Sequence, residues 1–234
     1  MKKPLISVII PAYNEAEFIE KTLISLKNQK TKIPYEIIVC DNNSKDKTCQ
    51  IAKKYADKVF NEKRQGGAYA RNTGAKHSKG KYLVHTDADT IFPDNFIEEV
   101  YKIFKTEKYV GFCCGNWDYI GKDLKVNLFK HPFKLAYNGF LKLGEYKNLF
   151  YLPGWCICTP KKIFNKVKGF RKQSEYLEDV LYSLDIKNLG KMKHFPNIQV
   201  KSSLRRLEGG IIKAFFYYKR KSNNKGMFDI NLFK

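Results

Sequence analysis

The chain is short of acidic side chains. Its 234 residues carry 23 Asp and Glu against 44 Lys and Arg, a formal net charge of +21, so its surface is expected to draw anions. Long apolar stretches are also missing. No run approaches the roughly 18 apolar residues that a membrane span needs, and the run over residues 5–10, closed by Pro11, is too short for the core of a signal peptide. Cysteine occurs six times but never as C-x-x-C, which excludes zinc-finger spacing. Cys113 beside Cys114, with Cys156 and Cys158 two apart, makes a poor disulfide framework, and a reducing, cytoplasmic location is expected. There is no internal repeat, no low-complexity linker and no G-x-G-x-x-G after a strand. Residues 74–81 lack the glycine spacing and the Ser or Thr of a phosphate loop.

What is present can build a core. A hydrophobic share of 43% and an aromatic share of 15%, with mean hydropathy −0.48, exclude a disordered chain and a polytopic membrane protein. The length suits one sizeable α/β domain. Charge is uneven: residues 1–110 hold 20 basic and 14 acidic side chains, and residues 111–234 hold 24 and 9. The second half is therefore the one expected to meet an anion, whether nucleic acid, an anionic membrane face or a phosphorylated substrate.

Apolar runs and amphipathic stretches alternate through the first half. Strands are expected over residues 5–10, 35–40, 58–60 and 82–86. Helices are expected over 15–29, 46–55 (capped by Asn43 or Ser44), 68–75 and 93–104. Strand and helix in alternation predict a parallel sheet with helical crossovers. In the second half the pattern predicts strands over 109–115 and 151–159, helices over 128–143 and 177–189, an extended 192–200, and an aromatic, basic tail from 209.

Asp87 and Asp89 are the sharpest chemical feature. Two carboxylates two apart at a strand end share a side, and the C-terminal edge of a parallel sheet is where ligands bind. Such oxygens suit Mg²⁺ or Mn²⁺, which complete their shell with water and substrate phosphate. Three other strand ends would gather there: Pro11 to Glu15, Asp41 to Ser44, and the Gly66-Gly67 turn with Arg71. Glycines let backbone approach a ligand, and the Arg can reach a phosphate or a base.

In order, Ser7-Val8-Ile9-Ile10-Pro11-Ala12-Tyr13-Asn14-Glu15, Glu36-Ile37-Ile38-Val39-Cys40-Asp41-Asn42-Asn43-Ser44, Ala70-Arg71-Asn72 and Asp87-Ala88-Asp89 resemble the GT-A glycosyltransferases of family 2. The match is close over residues 5–110 and looser to about 206. The resemblance implies a GT-A type α/β fold, a Rossmann-like, mainly parallel sheet flanked by helices in a single domain. Residues 1–110 would form the nucleotide-sugar half, 111–208 the acceptor and catalytic-base half, and 209–234 a tail. It implies that Pro11, Tyr13, Glu15, Asp41 with Asn43 beside it, and Arg71 line the donor nucleotide site. Asp87 and Asp89 would hold Mg²⁺ or Mn²⁺ at the diphosphate, with Asp87 also touching substrate.

Downstream, Gly154-Trp155, Lys168-Gly169-Phe170 and Glu178-Asp179 resemble the family's acceptor region, which implies Trp155 and Glu178 at the substrate and Asp179 as general base. An inverting transfer needs a carboxylate to take the acceptor's proton while a metal steadies the departing diphosphate. As bare sequence, Glu178 and Asp179 also read as helix-start acids favoured by the macrodipole. His194 is a candidate extra metal ligand, and Arg205 and Arg206 would steady the diphosphate or an acceptor phosphate. Residues 204–208 do not match the Gln-x-x-Arg-Trp type motif of the processive members, against a polymer synthase.

The expected activity is inverting, metal-dependent sugar transfer from a nucleoside diphosphate donor, UDP-sugar first and GDP-mannose next. The acceptor is a glycan or a polyprenyl-phosphate-linked hydroxyl or phosphate, with peripheral contact to an anionic membrane through residues 128–143 and 211–221. Two other classes stand beside it. A nucleotidyltransferase shares the metal and the layout. A nucleic-acid-binding protein would use the basic half but leaves the acidic pair unexplained, so no nucleic-acid partner is expected.

Overall fold

A computed structural model describes residues 2–114, 118–119, 139, 152–172 and 178–203. Outside them lie the tail, Arg205, Arg206, residue 177 and, except for Gly139, the helix expected over 128–143. Ten strands are described: β1 (Ile6–Ala12), β2 (Tyr35–Asp41), β3 (Lys58–Asn61), β4 (Tyr82–His85), β5 (Thr90–Ile91), β6 (Gly111–Cys114), β7 (Asp118–Tyr119), β8 (Ile157–Pro160), β9 (Met192–Phe195) and β10 (Lys201–Ser202). The helices are α1 (Ile19–Lys27), α2 (Thr48–Tyr55), α3 (Gly67–His77), α4 (Phe96–Thr106), α5 (Lys161–Lys166) and α6 (Glu178–Ile186), the last followed by a 3₁₀ turn at Lys187–Leu189.

The main sheet has seven strands in the order β3-β2-β1-β4-β8-β6-β9. All pairs are parallel except those of β8, which runs antiparallel to β4 and to β6. After β1 the chain builds outward to β2 and β3, then returns to place β4 on the other flank of β1. That reversal opens a crevice beyond the C-terminal ends of β1 and β4, the usual ligand position in an open α/β sheet. A second, three-stranded sheet has the order β5-β10-β7, with β10 antiparallel to β5 and parallel to β7.

Strand alternation builds the layers. Val8, Ile10, Ile37, Val39, Val84 and Phe112 face one way and pack against Ile19, Leu23 and Leu26 of α1 and Phe96, Ile97 and Val100 of α4. Ile9, Leu83 and Ile157 face the other way, toward Ala68 and Ala75 of α3, Phe164 of α5 and Tyr182 and Ile186 of α6. Each large side chain buried in this way contributes about 1.5–3 kcal/mol.

Three expectations change. Helix α1 begins at Ile19 rather than near Glu15, because Asn14 takes a left-handed φ of 53° and the amides of Asn14, Glu15 and Ala16 bond to side chains of the next crossover. Neither Asn43 nor Ser44 caps α2: Asp46 accepts the Thr48 N–H at 2.9 Å, while Ser44 Oγ accepts the Asn14 N–H. The strand expected over 151–159 shortens to β8, since Pro153 to Cys156 form a turn closed by the Cys156 N–H on the Pro153 carbonyl at 3.0 Å.

Helix α3 crosses the sheet closely, and Gly74 permits it. A Cβ there would stand 2.5 Å from Ile9 Cγ2 and 3.0 Å from Cys40 Sγ. Gly74→Ala is expected to cost about 1–3 kcal/mol by overpacking. Urea unfolding checks this, and an unchanged midpoint would mean that α3 sits farther from the sheet.

Candidate functional site

Four strand ends supply the site, and cross-loop hydrogen bonds lock them together. Asn42, just past β2, donates from Nδ2 to the carbonyls of Glu62 and Arg64, at 2.8 Å each, and its Oδ1 accepts the Gly66 N–H at 2.8 Å. The sequence offers no signal for this role, since a buried Asn that bridges loops reads like any turn Asn. Glu62 binds Arg64 and Thr73, and these bonds, Arg64 foremost, hold its carboxyl down at about 2.

At one end of the crevice, Asp41 is 2% exposed. Its Oδ2 accepts the Ser44 N–H at 3.2 Å, while the buried Oδ1 has no hydrogen-bond partner. A buried carboxylate oxygen left open is costly unless a ligand donor completes it. Asp41 pairs in register with Ala12, and Tyr13, 44% exposed, stands next along the chain. Pro11 pairs with Cys40, Glu15 is partly buried, and Asn43 is exposed with a φ of 67°, a residue suited to the left-handed turn it occupies.

At the other end, Arg71 of α3 is the hub, with its side chain 3% exposed. Nη2 donates to Asp87 Oδ1 at 2.6 Å and to the Gly154 carbonyl at 3.2 Å, and Nη1 donates to the Thr86 carbonyl at 3.4 Å. Nε lies 3.9 Å from Glu178 Oε1, and the guanidinium stands 5.7 Å from the Phe170 ring centre. Gly67 makes room for this arrangement, because a Cβ there would come within 2.8 Å of Glu178 Oε1. Arg71 thus sits between the acidic turn and α6.

His85 lies beneath. It is fully buried between the rings of Phe164 and Phe170, at 5.3 and 4.9 Å. Burial, then the Arg71 charge, hold its pKa well below the usual histidine range. It is neutral, and nothing in the sequence singles it out, because a strand histidine looks like its neighbours.

Asp179 opens α6. Its Oδ2 accepts the Gly154 N–H at 3.0 Å and its Oδ1 the Val180 N–H at 2.8 Å. Burial, then the adjacent Glu178 charge, push its carboxyl up to about 7, against the pull of those N–H groups and of Arg71. A carboxylate poised near neutrality is what general-base work requires. Gly154 therefore connects the hub to Asp179, donating its N–H to that carboxylate and offering its carbonyl to Arg71. Trp155 next to it accepts the Thr86 hydroxyl on its carbonyl at 2.7 Å.

The acidic pair is not on a strand. Strand β4 stops at His85, and Asp87-Ala88-Asp89 forms the turn into β5. Asp87 holds Arg71, while Asp89 Oδ1 lies 3.5 Å from the Ser202 hydroxyl of β10. Both carboxylates are partly exposed, and hard, half-solvated oxygens of this kind fit a Mg²⁺ or Mn²⁺ that keeps waters and phosphate in its shell. His194 does not join them. It sits on β9 opposite Cys113, with β8 and β6 between its strand and β4, about 14 Å away at three strand spacings. Among the described residues no His gathers with these acids.

Residues 7–172 match the family model "Glycosyl transferase family 2". The chain is 32% identical over 143 residues to the UDP-Glc:α-D-GlcNAc-diphosphoundecaprenol β-1,3-glucosyltransferase WfgD of Escherichia coli, covering 59% of this chain and 55% of that protein. It is 30% identical over 195 residues to the poly(ribitol-phosphate) β-N-acetylglucosaminyltransferase TarP of Staphylococcus aureus, covering 79% of this chain and 57% of that one. The chain thus spans little more than half of these relatives. Among solved structures, the mannosyltransferase PcManGT of Pyrobaculum calidifontis with GDP-Man and Mn²⁺ shares the fold at TM-score 0.69 and 20% identity, covering 94% of this chain and 65% of that one. S. aureus TarS in complex with UDP-GlcNAc does so at TM-score 0.67 and 18% identity, covering 86% and 58%. With the family model spanning well over half of its length, this chain belongs to the family 2 glycosyltransferases and carries their GT-A fold.

Proposed function

We propose that the protein transfers a sugar, with inversion, from a nucleoside diphosphate donor to an acceptor hydroxyl, with Asp179 as general base. The observation that carries this reading is the Arg71–Asp87–Gly154–Asp179 linkage, which sets a carboxyl raised to about 7 beside the acidic turn. Asp41 Oδ1 would accept a ring N–H of the nucleobase, and exposed Tyr13, next to Asp41's strand partner Ala12, would cover the ring. We assign Asp87 and Asp89 to Mg²⁺ or Mn²⁺; when bound, the ion neutralises charge on the departing diphosphate. Arg71 keeps Asp87 oriented in the meantime, and Glu178 balances the buried guanidinium.

UDP-sugars are the favoured donors, since UDP-Glc stands in the name of WfgD and UDP-GlcNAc in the TarS complex; GDP-mannose, the partner of PcManGT, is next. An acceptor carrying phosphate or lipid-linked diphosphate suits the basic half 111–208. It also agrees with the diphosphoundecaprenol and poly(ribitol-phosphate) in the relatives' names. No helix among the described residues is long and apolar enough to cross a membrane, and such an acceptor would be met by peripheral contact.

A thermal-shift screen of nucleotides and sugar nucleotides with Mn²⁺ tests the reading. A donor at 100 times its Kd adds about 2.7 kcal/mol, or roughly 5–11 °C for a chain of this size. Asp89→Ala is expected to remove the Mn²⁺-dependent part of that shift and to keep the apo melting temperature. A response to nucleoside triphosphates alone, with pyrophosphate released, would replace this reading with nucleotidyl transfer.

A further inference from the structure

Three cysteines that the transfer chemistry does not use meet in the core. Cys114 ends β6, Cys158 lies in β8, and Cys156 just precedes it. The antiparallel pairing of Phe112 with Cys158 brings Cys156 opposite Cys114, whose N–H donates to Cys156 Sγ at 3.4 Å. All three are fully buried, their sulfurs lie within 4.8 Å of one another, and Cys156 Sγ is 3.8 Å from Cys158 Sγ. Two sulfurs each about 2.3 Å from a shared ion stand about 3.8–4.0 Å apart at tetrahedral to trigonal angles, so this edge is already set for an ion.

We propose that Cys114, Cys156 and Cys158 form a three-sulfur site for a soft d¹⁰ cation of the Cu⁺ and Zn²⁺ class. Soft thiolates select these ions over Mg²⁺ and Mn²⁺, so the site does not compete with the acidic turn. Among the described residues the ligand set closes at three. That favours Cu⁺, which accepts three sulfurs, over Zn²⁺, which takes four ligands in structural sites. Each sulfur that binds as thiolate releases its proton to solvent. Cys156 also closes the turn that carries Gly154, so an ion here would tie that turn to β6.

The test is anaerobic titration of the reduced full chain with Cu⁺ and, separately, Zn²⁺, each against a competing chelator, followed by X-ray absorption of the loaded protein. The expected result is about one ion per chain ringed by three sulfurs near 2.3 Å, with Cu⁺ held more tightly. Cys156→Ser and Cys158→Ser should each weaken binding by at least the roughly tenfold that an outer-shell change already costs. Cys49→Ser, at a partly exposed thiol outside the cluster, should bind as the parent does. Fewer than three sulfurs around the ion, binding that survives the Cys156 and Cys158 changes, or no binding above chelator competition would overturn the site. The absorption measurement needs no variant, so it decides the matter even if a core substitution fails to fold.

Discussion

Asp179→Asn is expected to lower the transfer rate by about 10²–10⁴-fold, the usual worth of a positioned general base, while donor binding changes little. Asp179 touches the Gly154 and Val180 amides and no part of the Asp41 end, so the donor's thermal shift should persist as turnover disappears. Because the carboxyl is raised to about 7, parent activity should climb about tenfold per pH unit up to that value and then level, as the base ionises. The Glu178 charge contributes to the rise; Glu178→Gln should therefore move the limb to lower pH. The same shift acts on stability. Between the unfolded value near 4 and about 7 the folded chain holds a proton that the unfolded chain has lost, so this group's contribution falls as pH rises. Asp179→Asn should flatten that slope in urea midpoints taken across the interval. Transfer at parental rates by Asp179→Asn would place the base elsewhere.

Arg71→Met should be the most damaging change to the fold among the site residues. It leaves Glu178 and Asp87 facing one another without the cation that links them, and it abandons the Thr86 and Gly154 carbonyls. Breaking a buried pair costs about 3–5 kcal/mol. Asp87 is 41% exposed in its side chain and can turn to water, which puts the expectation near the lower figure, a drop of roughly 6–12 °C. The acid limb of any residual activity should move up, because Arg71 is one of the groups that pull the Asp179 carboxyl down. Arg71→Lys keeps the charge without the fork and should fall between. Differential scanning calorimetry and the pH profile check both effects, and a melting temperature within 2 °C of the parent, the shift of less than about 1 kcal/mol, would show that the hub does not hold the fold together.

The layered core was legible from residue order. Apolar runs at period two and helices at three- and four-residue spacing placed β1 to β4 and α1 to α4 within a few residues. Asp41, Arg71, Asp87, Asp89 and Asp179 were all named from motif and resemblance. The lone antiparallel strand β8 was not foreseen, because local pattern does not encode strand direction. Strands β5, β7 and β10 were also missed: each is two residues long, below what periodicity can register.

Residue order alone establishes the class of the chain: a basic α/β domain whose acids cluster at strand ends, with hard carboxylates suited to a divalent cation. The folded sheet establishes which groups meet. It put Arg71 between Asp87 and Glu178, set His194 on the strand three positions from β4, and gathered Cys114, Cys156 and Cys158 from separate segments. The reason is physical. Hydrophobic period and turn chemistry act over a few residues and survive in the linear order, whereas burial, charge coupling and ligand geometry depend on strand order and register, which exist only once the sheet has formed.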